Sequence, residues 1–339
     1  MKKRPTSSEV AKLAGVSRTT VSFVLNNVEG ANISDGTRQK VLEVAESLGY
    51  VPDAAARRLA SGKSYTLGLL ICQSEHLQVD AFIPQVLYGM NVIAFEHGFR
   101  VLVEAVEDTS DPKLYRELIR AKQIDGLAVL NPRLQDFELL EQISSDFPVI
   151  DVGTAKRPRS PVPSRGSESA QQVVKHFLKL GHERIAHISF APEDYPVSVR
   201  RERGYLLALQ EAGIQESWLV KAAFSAQSGY QAMQKLLSLK TLPTALFAGN
   251  DTIAFGAMRA IFEAGLRIPE DIAVIGYDDI PLAAFSSPSL STVKVDAIAL
   301  GKRAADVLLS HISDNQNQSS WDIQPPQLIL RESCGSNSF

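Results

Sequence analysis

Between Thr6 and Leu25 the apolar, capping and turn residues fit one compact arrangement, two short helices set across a tight turn. Thr6 followed three residues later by Glu9 has the spacing of a capping box, so a helix is expected to begin near Ser7. Val10, Leu13 and Ala14 recur at helical spacing, and Ala11 is small enough for a neighbouring helix to cross closely. Gly15 supplies the positive φ of a sharp turn. Ser17 then caps a second helix with Val21, Val24 and Leu25 on its buried face. A third helix is expected from Ser34 to Leu48, capped by Ser34, packed through Val41, Leu42, Ala45 and Leu48, and stopped by Gly49. The unit reads as a three-helix bundle of helix-turn-helix type.

The apolar residues of the second helix leave Arg18, Thr19, Ser22, Phe23 and Asn26 on its other face. Residues 1–63 hold ten Lys/Arg against six Asp/Glu, a local +4 in a chain of formal net charge −3, which leaves −7 for the remainder. A polyanion such as DNA is attracted to the N-terminal piece and held off by the rest.

Pro52 to Lys63 joins this basic unit to the body. Pro52 and Asp53 suit a helix start, Ala54 to Ala60 favours helix, and Gly62 ends it. So short a helix is marginal alone in water and is expected to fold conditionally. Beyond it the chain alternates strand and helix. Leu67–Cys72 reads as a buried parallel strand, followed by a loop over Ser74–Val79 and a helix from Phe82 to His97 stopped by Gly98. Further strands are expected at Arg100–Val106, Gly126–Leu130, Val149–Val152, Ile185–Phe190, Ala245–Ala248 and Ala273–Tyr277. Such alternation implies an α/β body of doubly wound parallel sheets. The run Pro158–Pro163 interrupts it near the middle. Asp151, Asn250 and Asp278 lie just past expected strands, where open α/β sheets bind ligands, and their side chains can take paired hydrogen bonds from a polyhydroxylated molecule.

Ala14-Gly15-Val16-Ser17, Thr20-Val21-Ser22, Leu25-Asn26, the Ile33-Ser34…Thr37-Arg38 helix start and Gly49-Tyr50-Val51-Pro52 together resemble the opening of the LacI/GalR family of transcriptional regulators. The resemblance extends through Gly276–Ile280, Leu290–Val293 and Leu330–Cys334, covering essentially the whole chain. It implies a two-lobed periplasmic-binding-protein type I body. The expected divisions are a DNA-binding domain at 1–50, a hinge helix and linker at 51–65, one lobe at 66–164 with 293–324, and another at 165–292 with 325–335. The expected function is that of an effector-switched regulator, with a repressor foremost, bound as a homodimer to a pseudo-palindromic operator in double-stranded DNA. Arg18, Thr19 and Phe23 would face base edges, Arg18 pairing with guanine and Phe23 touching a thymine methyl. Thr6, Ser17, Thr20, Ser22, Asn26, Ser34 and Thr37 would contact phosphates. Leu59 corresponds to the family's minor-groove wedge. Asp53 stands where relatives usually carry Asn.

In the body the resemblance adds Arg201 as a ligand-contacting arginine, Phe224 as a stacking aromatic and Phe82 as part of an aromatic segment. The segment Asp80–Ile83 and the pair Arg165-Gly166 depart from the family pattern, so the effector cannot be copied from a relative. A stacking ring among hydroxyl-seeking groups makes a sugar or sugar derivative the first expectation and a nucleobase the second. No cofactor and no metal are expected. Two cysteines, Cys72 and Cys334, are too few for a disulfide framework, and no apolar run approaches a membrane span, so a cytoplasmic protein is expected. No heptad tail follows Cys334, which favours a dimer.

Two other classes compete. A sugar-binding protein of transport shares the body but needs an export signal and no basic helix-turn-helix. An enzyme finds no support, since the chain has neither a Gly-x-Gly-x-x-Gly after a strand nor a phosphate loop. His182-Glu183 with His187 only approaches a zinc-protease spacing, and these histidines read as structural.

Overall fold

Three local caps organise the first of two compact units, residues 1–64, in a computed structural model that describes residues 5–25, 30–51, 58, 61–106, 115, 117, 119–154, 166–190, 195–313 and 324–335. Helix α1 (Ser7–Ala14) opens on a full capping box. The Glu9 N–H donates to Thr6 Oγ1 at 3.3 Å, and the Thr6 N–H donates to Glu9 Oε2 at 2.7 Å. Gly15 closes it at φ 72°, the left-handed conformation that costs a side chain most. α2 (Arg18–Leu25) starts where the Thr20 N–H donates to Ser17 Oγ at 3.0 Å. α3 (Asp35–Leu48) starts with the Thr37 N–H on Ser34 Oγ at 3.3 Å. Val10, Ala11, Ala14, Val21, Val24, Val41 and Ala45 form the buried core, with Leu25 and Leu48 partly buried against it.

Two leucines depart from expectation. Leu13 is 58% exposed and Leu42 is 43% exposed. The buried stripe of α1 is centred between Val10, Ala11 and Ala14, and that of α3 on Val41 and Ala45. At about 100° per residue each leucine lies roughly a quarter-turn or more off its stripe. Asn26, Asp53, Leu59, Pro158–Pro163 and Arg165 lie outside the described residues, as does most of the expected hinge helix. At its far end, the Gly62 N–H donates to Arg58 O at 2.9 Å with Gly62 at φ 69°.

The second unit, residues 65–339, contains two parallel sheets. β1 (Thr66–Cys72) lies between β2 (Arg100–Val106) and β3 (Gly126–Leu130), and β4 (Val149–Asp151) completes the order β2-β1-β3-β4. β5 (Ile185–Phe190) likewise lies between β6 (Trp218–Ala222) and β7 (Ala245–Ala248), with β8 (Ala273–Ile275) beyond. The strands β1, β3, β5 and β7 are each buried throughout, which is why β1, β3 and β7 read as largely apolar runs, while β5 buries His187 and Ser189 as well.

The helices are α4 (Ser74–Val79), α5 (Phe82–Glu96), α6 (Phe137–Ile143), α7 (Gly166–Lys179), α8 (Pro196–Glu211), α9 (Ala226–Leu237), α10 (Asp251–Glu263) and α11 (Ala297–Ile312). Residues Ser74–Val79, expected as a loop, are thus a short helix, and the expected strand at 273–277 stops at Ile275. Although it is late in the chain, α11 packs on α5 and shares the core of the first sheet through Ala297, Leu300, Ala304 and Leu308. Close approach there requires glycine. A Cβ on Gly89 would lie 2.1 Å from Ile298 O, and one on Gly301 2.0 Å from Val86 O. β9 (Thr292–Lys294) pairs antiparallel with β10 (Gln327–Ile329), while Val293 and Cys334 belong to the core under the second sheet. The chain therefore passes from the second sheet to the first around 295 and returns before 334.

Candidate functional site

The polar face of the N-terminal unit presents Arg18 and Thr19 exposed, with Phe23 39% exposed beside the half-buried Ser22. An exposed phenylalanine among small polar groups is held there by its position opposite Val21 and Val24, which face the core. Apart from Ser22, which lies within α2, the expected hydroxyl contacts fall at helix starts. Thr6, Ser17 and Ser34 are the caps of α1, α2 and α3. Thr20 and Thr37 pair their hydroxyls with Ser17 and Ser34, each at 2.9 Å. Three capped helix starts with outward hydroxyls present backbone N–H groups and positive dipole ends, the local field that suits phosphate oxygens.

In the second unit the carboxyl ends of the two sheets contribute the charged groups. Arg201, on the inner face of α8, is buried, and its guanidinium lies 3.6 Å from the centroid of the Tyr277 ring and 5.2 Å from that of Phe190. One Nη donates to Gly249 O and the other reaches Asp278 Oδ1 at 3.4 Å. Asp278 follows β8 at φ 110°, an unusual backbone for a non-glycine residue, fixed by its N–H to Val293 O at 2.8 Å. Burial pushes its carboxyl well above the ordinary range; Arg201 opposes that rise, while Asp80 and Asp251 add to it. Asp80, just before α5, is pushed up to about 6 by burial, against the Phe82 N–H and Arg201. Thus Arg201 stands in the field of two carboxylates, Asp80 after α4 and Asp278 after β8.

Other expected residues take different places. Asn250 is buried, and its Oδ1 accepts the Ile253 N–H at 2.7 Å as the cap of α10. Asp151 ends β4, where Oδ1 accepts the Gly153 N–H and Oδ2 the Thr154 hydroxyl, both at 3.0 Å. Burial raises its carboxyl too, with Arg200 among the opposing influences. Phe82 is half-buried and packs against the core of the first sheet. Phe224 is buried after β6, and its described ring partners are His76 at 3.6 Å, Phe190 at 4.4 Å and Tyr195 at 6.0 Å. Phe82 is not among them. The structure therefore brings Arg201, Asp278 and the Asn250 loop together, and places Phe224 in an aromatic cluster that reaches Arg201 through the shared Phe190 ring.

Sequence reasoning missed several members. Tyr195 sends its hydroxyl to Cys72 O at 2.6 Å, tying the loop before α8 to the end of β1. Asp251 accepts the Thr292 hydroxyl at 2.6 Å and the Ile280 N–H at 2.8 Å, and burial pushes it up to about 7. Arg331 pairs with Asp279 at 2.7 Å, locking the last segment onto the loop after β8. The one available signal for the Asp251 group was its place directly after a strand, shared with Asn250. His182 and His187 are structural: their Nδ1 atoms meet Thr244 Oγ1 at 3.1 Å and Phe247 O at 2.8 Å. Among the described residues no group of three or more His, Cys, Asp or Glu could hold a metal ion, and no helix is long and apolar enough to cross a membrane.

Comparison with known proteins accounts for both units. The lacI family of bacterial regulatory proteins matches residues 6–53, and the periplasmic binding protein-like domain matches residues 174–334. The probable HTH-type transcriptional repressor ExuR of Bacillus subtilis is 34% identical over 337 residues, covering 97% of this chain and 98% of its own. The lac repressor dimer bound to operator and the anti-inducer ONPF is 30% identical with a TM-score of 0.81, covering 98% of this chain and 99% of its own. The transcriptional regulator CelR in complex with cellobiose is 27% identical with a TM-score of 0.69, covering 97% and 100%.

Proposed function

The chain belongs to the lacI family of bacterial regulatory proteins, and from that premise we propose that it is a cytoplasmic, dimeric repressor of a pseudo-palindromic operator, released or recruited by a sugar-like effector. As a family member it is a transcriptional regulator with a DNA-binding helix-turn-helix and a ligand-binding body, not an enzyme. Arg18, Thr19 and Phe23 read bases, while Thr6, Ser17, Thr20, Ser22, Asn26, Ser34 and Thr37 set the register on phosphates. Leu59 kinks the minor groove when the hinge segment folds. Residues 66–164 with 293–324 form one lobe, and 165–292 with 325–335 the other. The effector lies between them, contacted by Phe82, Asp151, Arg201, Phe224, Asn250 and Asp278. It acts by binding one lobe arrangement better than another, and only that difference in affinity can bias the hinge.

The observation carrying the ligand reading is the Arg201–Asp278 pair. A guanidinium buried on α8 and a part-buried carboxylate after β8, beside aromatic rings, form a ready donor and acceptor set for neighbouring hydroxyls. The likeness to a regulator solved with cellobiose supports the same class. The test is a thermal-shift titration with D-glucose, D-galactose, D-glucuronate, cellobiose and adenine. Wild type should melt higher with at least one saccharide, since a ligand that binds the folded state stabilises it, and Asp278→Ala should lose that shift. An unaltered shift in Asp278→Ala would remove the residue from the site, and a response to adenine alone would overturn the saccharide assignment.

A further inference from the structure

Phe224 has no free face for a ligand. Its ring is met by Phe190, by Tyr195 and, closest of all, by the His76 imidazole at 3.6 Å between centroids and 45° between planes. A sugar or a base needs that same van der Waals distance to stack. One of the three neighbours must therefore move before any ring reaches Phe224.

They are not equally able to move. Phe190 belongs to β5 and is buried in the core of the second sheet. Tyr195 is fully buried and anchored by its hydroxyl to Cys72 O. His76 differs from both. It is only 2% exposed, yet neither Nδ1 nor Nε2 has a hydrogen-bond partner among the described residues. A buried imidazole with two unmet nitrogens is a poor tenant of an apolar site. It sits on α4, a helix of only six residues, entered through Gln73 at φ 83°, where a side chain is disfavoured. Burial, with Arg133 nearby, holds the ring neutral by pushing it down to about 4, so it fills the place as an uncharged flat ring.

We propose that His76 is a resident occupant of the effector's stacking surface, and that an effector reaches Phe224 only by displacing it. This rests on the reading of Phe224 as the aromatic on which the effector stacks. Displacement moves α4, which hangs directly between the end of β1 and the start of α5, so occupancy of the aromatic cluster is conveyed to the first sheet's own elements.

Isothermal titration of the full chain with D-glucose, D-galactose, D-glucuronate and cellobiose tests the idea. His76→Ala should bind at least one saccharide about tenfold more tightly than wild type, the gain expected when a competent state populated to about one part in ten becomes the whole. His76→Phe, which fills the place without unmet nitrogens, should bind more weakly. Equal or weaker binding by His76→Ala overturns the proposal. Phe224→Ala separates the two layers: abolished binding there beside an unaffected His76→Ala leaves the stacking surface standing and removes the occupant, whereas unchanged binding by Phe224→Ala removes the stacking surface. Binding by none of the proteins overturns the saccharide reading and the occupant with it. Wild type gives a check that needs no variant, because amide hydrogen exchange over residues 74–80 should speed up when the saccharide binds, and unchanged protection contradicts displacement.

Discussion

The helix-turn-helix unit and the strand-end cluster solve the problem of placing polar groups in opposite ways. In the first, the proposed DNA-facing residues that the structure describes are outward-facing or sit at helix starts, the half-buried Ser22 of α2 excepted, and polar partners lie within a few residues, as with Thr6 and Glu9 or Ser34 and Thr37. In the second, the buried Arg201 and the part-buried Asp278 are 77 residues apart in sequence, and Thr292 reaches Asp251 across 41. The proposed DNA-facing groups are local and solvated, and the fold draws on them only for its helix caps. The covered, distant groups of the proposed effector site must also serve the fold, since each charge removed from water must be answered by another.

Substitutions that remove one group from each region should therefore separate binding from stability. Arg201→Ala leaves the part-buried Asp278 beside an empty site and should lower unfolding free energy by about 3 kcal/mol, read by urea denaturation. A drop below about 1 kcal/mol would show that the pair is solvated after all. Arg18→Ala should do the reverse. Operator binding should weaken by about 1–3 kcal/mol for each base that Arg18 reads, with the urea midpoint unmoved. A shifted midpoint with unchanged affinity would erase the contrast between the regions.

The pH dependence sharpens it further. The folded chain holds His76 down to about 4, against an ordinary 6.5, by burial first and Arg133 second. Between those values the unfolded chain binds a proton that the folded chain refuses, so this group's contribution is intact above pH 6.5 and is lost as pH falls towards 4. His76→Phe removes that liability. Relative to wild type, the variant should gain roughly 2 kcal/mol on moving from pH 7.5 to pH 5, measured by urea denaturation at both. A difference independent of pH would mean the imidazole is not held neutral. The smallest effect belongs to the N-terminal unit, where Ser34→Ala should cost about 1 kcal/mol, again read by urea denaturation, because it removes the cap of α3.

The same contrast explains what could be read from the sequence. Caps, turns and stripes are local, so α1, α2 and α3 were legible nearly to the residue, and the errors at Leu13 and Leu42 were errors of phase around a helix. The central strands were legible because burial on both faces leaves them largely apolar, with His187 and Ser189 of β5 the polar exceptions. β6 was not, because Trp218–Val220 are only partly buried at the sheet edge and Lys221 interrupts the run. In the cluster, Asp278 and Asn250 could be placed after strands. Their partners could not, since what meets Arg201 or Phe224 depends on pairings between β1, β5 and the segments after them. His76 was hidden for the same reason: a lone histidine in an expected loop carries no mark of the ring it covers.

The central claim is that a capped, polar-faced helix pair reads DNA under control of a ligand-binding body. Its most direct test is repeated selection of the full chain on a random duplex library at moderate ionic strength with excess competitor DNA, with and without the saccharides above. Enrichment of one pseudo-palindromic sequence, with affinity altered by a saccharide, is the predicted result. Recovery of no sequence above the random background under any of these conditions would contradict the account.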